Sequence, residues 1–200
     1  MLAGKRILIT GVVARESIAY GVAEQVQRLG AEVVLTGCGH GLALTRSVAE
    51  RLSGPPEVLE LDVNDPSHFG PLVERLGEKW GGLDGALHAE SALEAFQTSA
   101  YALQALAGAL TPLFTPGASV VGLDLDAPAG WPVYDWMGVS KAALRVVSRR
   151  VARELEPCGV RVNLVSADAA ARDSVLDAVC LLLSDRSRAM TGEVVSADGV

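Results

Sequence analysis

Aromatic residues are scarce in this sequence, at 4% of the chain. A surface that stacks nucleic-acid bases needs more of them, so such a platform is excluded. Positive charge is also short. Lys and Arg number 17 against 24 Asp and Glu, giving a net charge of −7, and no run of Lys or Arg concentrates the cations. Neither nucleic acid nor a membrane surface is expected as a partner. Cysteine occurs three times, at Cys38, Cys158 and Cys180. These are too scattered for metal ligation and odd in number for a disulfide framework, which points to a reduced, cytoplasmic setting. No apolar run is long enough to span a bilayer. Met1 to Arg6 passes almost directly into a short strand-like run, without the layout of a secretory signal.

What the chain has is core. Half of its 200 residues are hydrophobic, enough for one domain over residues 1–200. Short β-branched runs read as strands at Lys5–Thr10, Ala31–Thr36, Glu57–Leu61, Leu83–His88, Ala118–Leu123, Val160–Val165 and Glu193–Ala197. Segments with helical spacing lie between them. These begin at Ser17, ending at Gly30, and continue with Leu42–Leu52, Ser67 to Trp80, Ala92–Leu110, Tyr134 to about Leu155, and Ala169–Leu183. Strands alternating with helices predict an α/β fold: one doubly wound, Rossmann-like parallel sheet of about seven strands, covered on both faces.

Ligands of such sheets bind at the carboxyl ends of the strands. Four features gather there. Gly11 follows the first strand and permits a tight turn, although the turn lacks the G-x-G-x-x-G pattern. Ser17 can cap the next helix or bond a phosphate beside its positive end. Asp62 ends the third strand and can bond an adenine amino group; it can equally be a turn carboxylate. Tyr134 and Lys141 lie seven residues apart, close to two helical turns, so they share a face. A phenol can give a proton to developing negative charge. A neighbouring ammonium can lower the phenol's pKa and hold a ribose hydroxyl. Each feature also has a plain structural reading.

The stretches GKRILITGV, SIAYGVAEQVQRLGAEV, LELDV, LDGALH, YDWMGVSKAAL, GVRVNLVSA and TGEVVSADG occur in an order that resembles one family. It is the NAD(P)H-dependent enoyl-acyl-carrier-protein reductases of fatty-acid biosynthesis, divergent members of the short-chain dehydrogenase/reductase superfamily. The Tyr-x6-Lys spacing is specific to that branch. The resemblance implies hydride transfer from NADH or NADPH to an enoyl thioester or related carbonyl substrate. It casts Tyr134 as donor to the thioester oxygen and Lys141 as holder of the nicotinamide ribose. Gly11, Ser17 and Ile18 would meet the pyrophosphate, Asp62 and Val63 the adenine, and Ala89 would border the cofactor. No metal is implied. The family's dimer-forming helices correspond to Ala92–Leu110 and Tyr134–Leu155, so a homo-oligomer is expected, although the shortened tail makes a tetramer doubtful.

The chain also departs from the pattern. The segment after His88 (Ala89-Glu90-Ser91) is short, Leu125 replaces an aromatic residue, and the substrate-binding loop is missing. Asp168-Ala169-Ala170-Ala171-Arg172 stands where the family has Gly-Pro-Ile-Arg-Thr. Water then reaches the site, and electrostatic stabilisation weakens there. Glu90 and Asp168 would oppose a pyrophosphate, with Arg172 and Lys141 offsetting part of that. Thr36-Gly37-Cys38-Gly39-His40 supplies neither a ribose-binding carboxylate nor an arginine, which leaves NADH against NADPH open. Three readings remain at this point: a working reductase, a catalytically degenerate scaffold, or cofactor-independent chemistry in the opened cleft. His88 reads as a buried, bonded histidine, His40 and His68 as surface, Trp80 as packing, and Arg145 with Arg149, Arg150 and Arg153 as a solvated or interface face.

Overall fold

A computed structural model describes residues 1–89, 95–126, 135–168 and 172–197, with side chains described for 1–89, 100–124, 140–167 and 172–197. Seven strands form one sheet: β1 (Arg6–Thr10), β2 (Glu32–Gly37), β3 (Glu57–Glu60), β4 (Leu83–His88), β5 (Phe114–Asp126), β6 (Arg161–Asp168) and β7 (Val194–Ser196). Their order across the sheet is β3-β2-β1-β4-β5-β6-β7, and every pairing is parallel. The connecting helices are α1 (Ile18–Arg28), α2 (Gly39–Ala49), α3 (Phe69–Trp80), α4 (Ala95–Leu110), α5 (Asp135–Leu155) and α6 (Arg172–Leu183). The sequence-based α/β, doubly wound reading of seven strands is the architecture observed.

Alternation along the strands explains the two covered faces. Ile7, Ile9, Val121 and Val165 point to the side packed by α1 and α6. Leu8, Val34 and Ala86 point to the opposite side, against Leu72 and Leu76 of α3 and Leu106 and Leu110 of α4. Val120, Val162 and Leu164 continue that second side toward Leu144, Val151 and Leu155 of α5. Side chains alternate across a strand, so Ile7 and Ile9 are buried on one face of β1 and Leu8 on the other. Each fully buried aliphatic side chain contributes about 1.5–3 kcal/mol.

Several boundaries shift from the sequence reading, β5 and β6 each running three residues further, to Asp126 and Asp168, and two of the differences have a local cause. The Thr115-Pro116-Gly117 turn lies inside β5 rather than ahead of it. Leu83 pairs with Phe114 and Gly85 with Ser119, so β5 bulges between these partners, and Gly117 there has φ +86°. Pro cannot donate to a ladder, and a bulge is where a sheet tolerates it. Helix α2 starts at Gly39 and ends at Ala49, three residues ahead of the expected span at each end. Its N-terminal residue Cys38 makes no side-chain cap, so the start carries no sequence signal.

Among the described residues, no helix is long and apolar enough to cross a membrane. No group of three or more His, Cys, Asp or Glu among them could hold a metal ion.

Candidate nucleotide-binding site

The chain winds from β1 outward to β2 and β3, then returns to β4 on the other side of β1. That reversal leaves a crevice at the carboxyl ends of β1 and β4, where ligands of doubly wound sheets bind. A cleft opens there, lined by Thr10, Gly11, Val13, Thr36, Gly37, Cys38, Gly41, Leu61, Asp62, Val63, Asn64, His88 and Ala89. It gathers four of the sequence-predicted residues: Gly11, Asp62, Val63 and Ala89.

Gly11 shapes the cleft floor. Its φ is +78°, and a Cβ there would sit 1.9 Å from the Ala89 carbonyl oxygen. Only glycine allows the two strand ends to approach so closely. Thr10 bolts the same ends together. Its Oγ1 accepts from the Ala89 N–H at 3.1 Å and lies 3.1 Å from His88 Nδ1 and 3.3 Å from the Ala89 carbonyl. His88 is 4% exposed and bonded, as the sequence suggested.

Asp62 and Val63 form the opposite wall. Asp62 Oδ1 accepts from the Asn64 N–H at 2.9 Å, a side-chain turn that holds its own carboxylate. The Asp62 N–H donates to His68 Nδ1 at 3.1 Å. His68, at the surface with 29% of its side chain exposed, therefore also supports the cleft wall. His68 Nε2 lies 3.8 Å from Asp65 Oδ2, and Asp65 Oδ1 in turn accepts from Ser67.

Ser17 and Ile18 are not among the residues that line this cleft; they stand at the start of α1, which follows the β1 turn at Gly11. Ser17 caps the helix: Oγ accepts from the Tyr20 N–H at 3.1 Å and donates to the Ala14 carbonyl at 2.7 Å. Its single proton is engaged inside the loop, so contact with a phosphate as a donor requires it to leave Ala14. The Gly21 N–H goes to the Ser17 carbonyl. The N–H groups of Ile18 and Ala19 bond nothing among the described residues. Two such N–H groups at a helix N-terminus are the donor set an oxyanion needs.

Lys141 is half-buried on α5, away from the cleft lining. Tyr134, Glu90 and Trp131 lie outside the described residues, and the side chains of Trp136, Leu125 and Asp168 are likewise outside the described set. One turn after Lys141, Arg145 is 43% exposed but also turns inward from the solvated or interface face expected of its helix. Its Nε donates at 2.6 Å to Asp124, whose side chain is fully buried. Arg172 also reaches inward: its guanidinium donates to the Glu16 carbonyl in the β1–α1 loop. No spacing rule pairs residues so far apart, so neither contact was readable beforehand.

A parallel sheet with its cleft at the strand reversal, a glycine at the first crossing and open N–H groups at α1 define a Rossmann-like nucleotide-binding protein. Residues 11–174 match the family model described as Enoyl-(Acyl carrier protein) reductase. The chain is 34% identical to the enoyl-acyl-carrier-protein reductase (NADH) of Mycolicibacterium smegmatis, over 100% of this chain and 96% of that protein. It is 39% identical to the corresponding protein of Mycobacterium avium, over 84% of this chain and 70% of the other. Identity to the Escherichia coli enzyme FabI of the same description is 30%, over 99% and 94% of the two chains. The chain belongs to the enoyl-acyl-carrier-protein reductase family.

Proposed function

We propose that this chain is an NADH-dependent reductase of enoyl thioesters. The observation that carries the proposal is the cleft at the β1–β4 crossing, formed by Gly11, Asp62, Val63 and Ala89 in a member of this family. NADH suits the donor set: the Ile18 and Ala19 N–H groups face a phosphate need, and a Cβ at Gly11 would abolish the close crossing of the strand ends. Bound there, NADH supplies a hydride to the β-carbon of the enoyl group. Tyr134 then hydrogen-bonds the thioester oxygen as negative charge develops on it, which is where a preorganised donor lowers a barrier most. Lys141 holds the ribose and, as a cation near the phenol, favours the phenol's ionised form. Asp62 and Val63 hold the adenine end.

Residues 1–200 act as one such unit, in the cytoplasm, on an acyl thioester carried by an acyl-carrier protein or a smaller group. A homodimer forms through α4 and α5, whose outer faces expose Tyr101 at 53% and Val146 at 66%. Likeness along nearly the whole chain favours a reductase over a degenerate scaffold.

The test is a titration of the purified chain with NADH and NADPH, followed by an assay of NADH consumption with short enoyl thioesters. We expect micromolar NADH binding that weakens in Lys141→Ala. Tyr134→Phe should bind NADH normally and lose about 10²–10³ in kcat, the usual cost of one oxyanion donor. No binding of either cofactor up to millimolar concentration would overturn the proposal.

A further inference from the structure

Arg172 opens α6, and its guanidinium crosses to the loop between β1 and α1. Nη1 donates to the Glu16 carbonyl, and Nη2 lies 3.5 Å from the Arg15 carbonyl. Gly21 of α1 lies under this reach: a Cβ there would sit 2.8 Å from Nη2 of Arg172 and 3.1 Å from a Leu176 methyl, so a side chain at this position would push the guanidinium tip aside. Two consecutive carbonyls held by one planar fork fix the peptide planes just ahead of Ser17, because each peptide is itself rigid.

The charge has a second consequence. A cation beside a helix N-terminus opposes the helix dipole. Helix α1 has no acidic residue in its first turn to compensate. Arg15 and Glu16 are both exposed and opposite in sign, so they nearly cancel. Asp173 lies in the first turn of α6 and serves that helix's own positive end. The arrangement becomes favourable when an anion joins it. A guanidinium has five N–H donors, and two carbonyls engage only some of them.

We propose that Arg172 is a positioning residue of the cofactor cleft: it sets the β1–α1 loop and supplies the positive charge that the cofactor's phosphates meet in this chain. The proposal rests on the NADH reading above and names the residue that recognises the phosphates. It separates the phosphate end of the cleft from the adenine end, since Arg172 touches the loop at Arg15 and Glu16 while Asp62 forms the far wall.

The experiment titrates the full chain with NADH, ADP and adenosine at low and high salt, and records the melting temperature without ligand. The variants are Arg172→Gln, Arg172→Lys and Gly21→Ala. In Arg172→Gln, NADH and ADP should bind at least tenfold more weakly, adenosine unchanged, and the salt dependence of ADP binding should flatten. Arg172→Lys should recover part of the loss. Gly21→Ala, which keeps the charge but displaces it, should also weaken ADP more than adenosine. Equal ADP binding in wild type and Arg172→Gln would overturn the proposal. So would parallel losses of ADP, adenosine and melting temperature, the mark of a purely structural role. Failure of the wild type to bind NADH or ADP would instead overturn the cofactor reading itself.

Discussion

His68 Nδ1 accepts the backbone N–H of Asp62 at 3.1 Å, and so holds the cleft wall from behind. This bond fixes the ring's proton on Nε2, on the side of Asp65. Replacing the ring by Leu leaves the Asp62 N–H without its acceptor and loosens the turn through Asn64. Adenosine and NADH should each bind about five- to tenfold more weakly, in keeping with the loss of one hydrogen bond of about 1 kcal/mol. His68→Asn, which can offer an oxygen in place of Nδ1, should recover most of that. Calorimetry on both variants decides it, and unchanged adenosine affinity in His68→Leu would refute the supporting role.

Gly11→Ala tests the strand crossing. The new methyl group would lie 1.9 Å from the Ala89 oxygen, and φ at this position is +78°. The left-handed conformation alone costs about 1–2 kcal/mol for a residue with a Cβ, and the clash adds to it. We expect a clear fall in melting temperature and loss of NADH binding together. Ala89→Gly should not rescue the variant, because the obstacle is the Ala89 carbonyl, which glycine retains.

The particular residues also show which parts of the fold could be read in advance. Ile7-Leu8-Ile9 alternates between two buried faces, and such runs fix a parallel sheet from sequence alone. Gly11 and Asp62 were legible because they lie one and two residues past the ends of β1 and β3, and strand ends converge in this topology; Ala89 came from the family resemblance. His68 was not legible, because a ring six residues past Asp62 meets it only if a short turn folds back. Asp124–Arg145 and Glu16–Arg172 were hidden for a stronger reason: their partners are 21 and 156 residues apart. The bulge in β5 was misread as a boundary because Pro116 and Gly117 carry the signals of a turn in either case.

Asp84 gives a pH prediction remote from the cleft. Burial pushes its carboxyl up, but the Arg6 side chain and backbone N–H, together with Thr115, outweigh that and hold it below the usual carboxylate range. A depressed folded pKa stabilises the protein above the unfolded value, about 3.9, and the contribution is lost as pH falls through the folded value. Asp84→Asn should therefore melt about 5 °C below wild type at pH 7, with the gap closing below about pH 4. Thermal melts from pH 3 to 7 measure this. A gap that does not narrow between pH 5 and pH 3 would mean packing, not charge, is responsible.

Arg145 and Asp124 form a pair whose two ends differ in exposure: the arginine side chain is 43% exposed and the aspartate 0%. Removing the arginine leaves a buried carboxylate without its ion-pair partner. Asp124 Oδ1 already bonds nothing among the described residues, so Arg145 is its main compensation. Breaking a buried pair from one side costs about 3–5 kcal/mol, and the half-exposed arginine places this pair at the lower end. Arg145→Met should therefore lose about 3 kcal/mol in denaturant unfolding. The double variant Asp124→Leu/Arg145→Met removes both charges and should regain most of that, because the cost lies in the stranded carboxylate rather than in the lost contact. The same cycle reports on Lys141, one helical turn before Arg145. If α5 depends on this pair for its seating against β5, NADH affinity should fall in Arg145→Met and return in the double variant along with stability. Stability that returns without affinity would show that the charge itself acts on the site. Equal stability in wild type and Arg145→Met would remove the pair from any account of the fold.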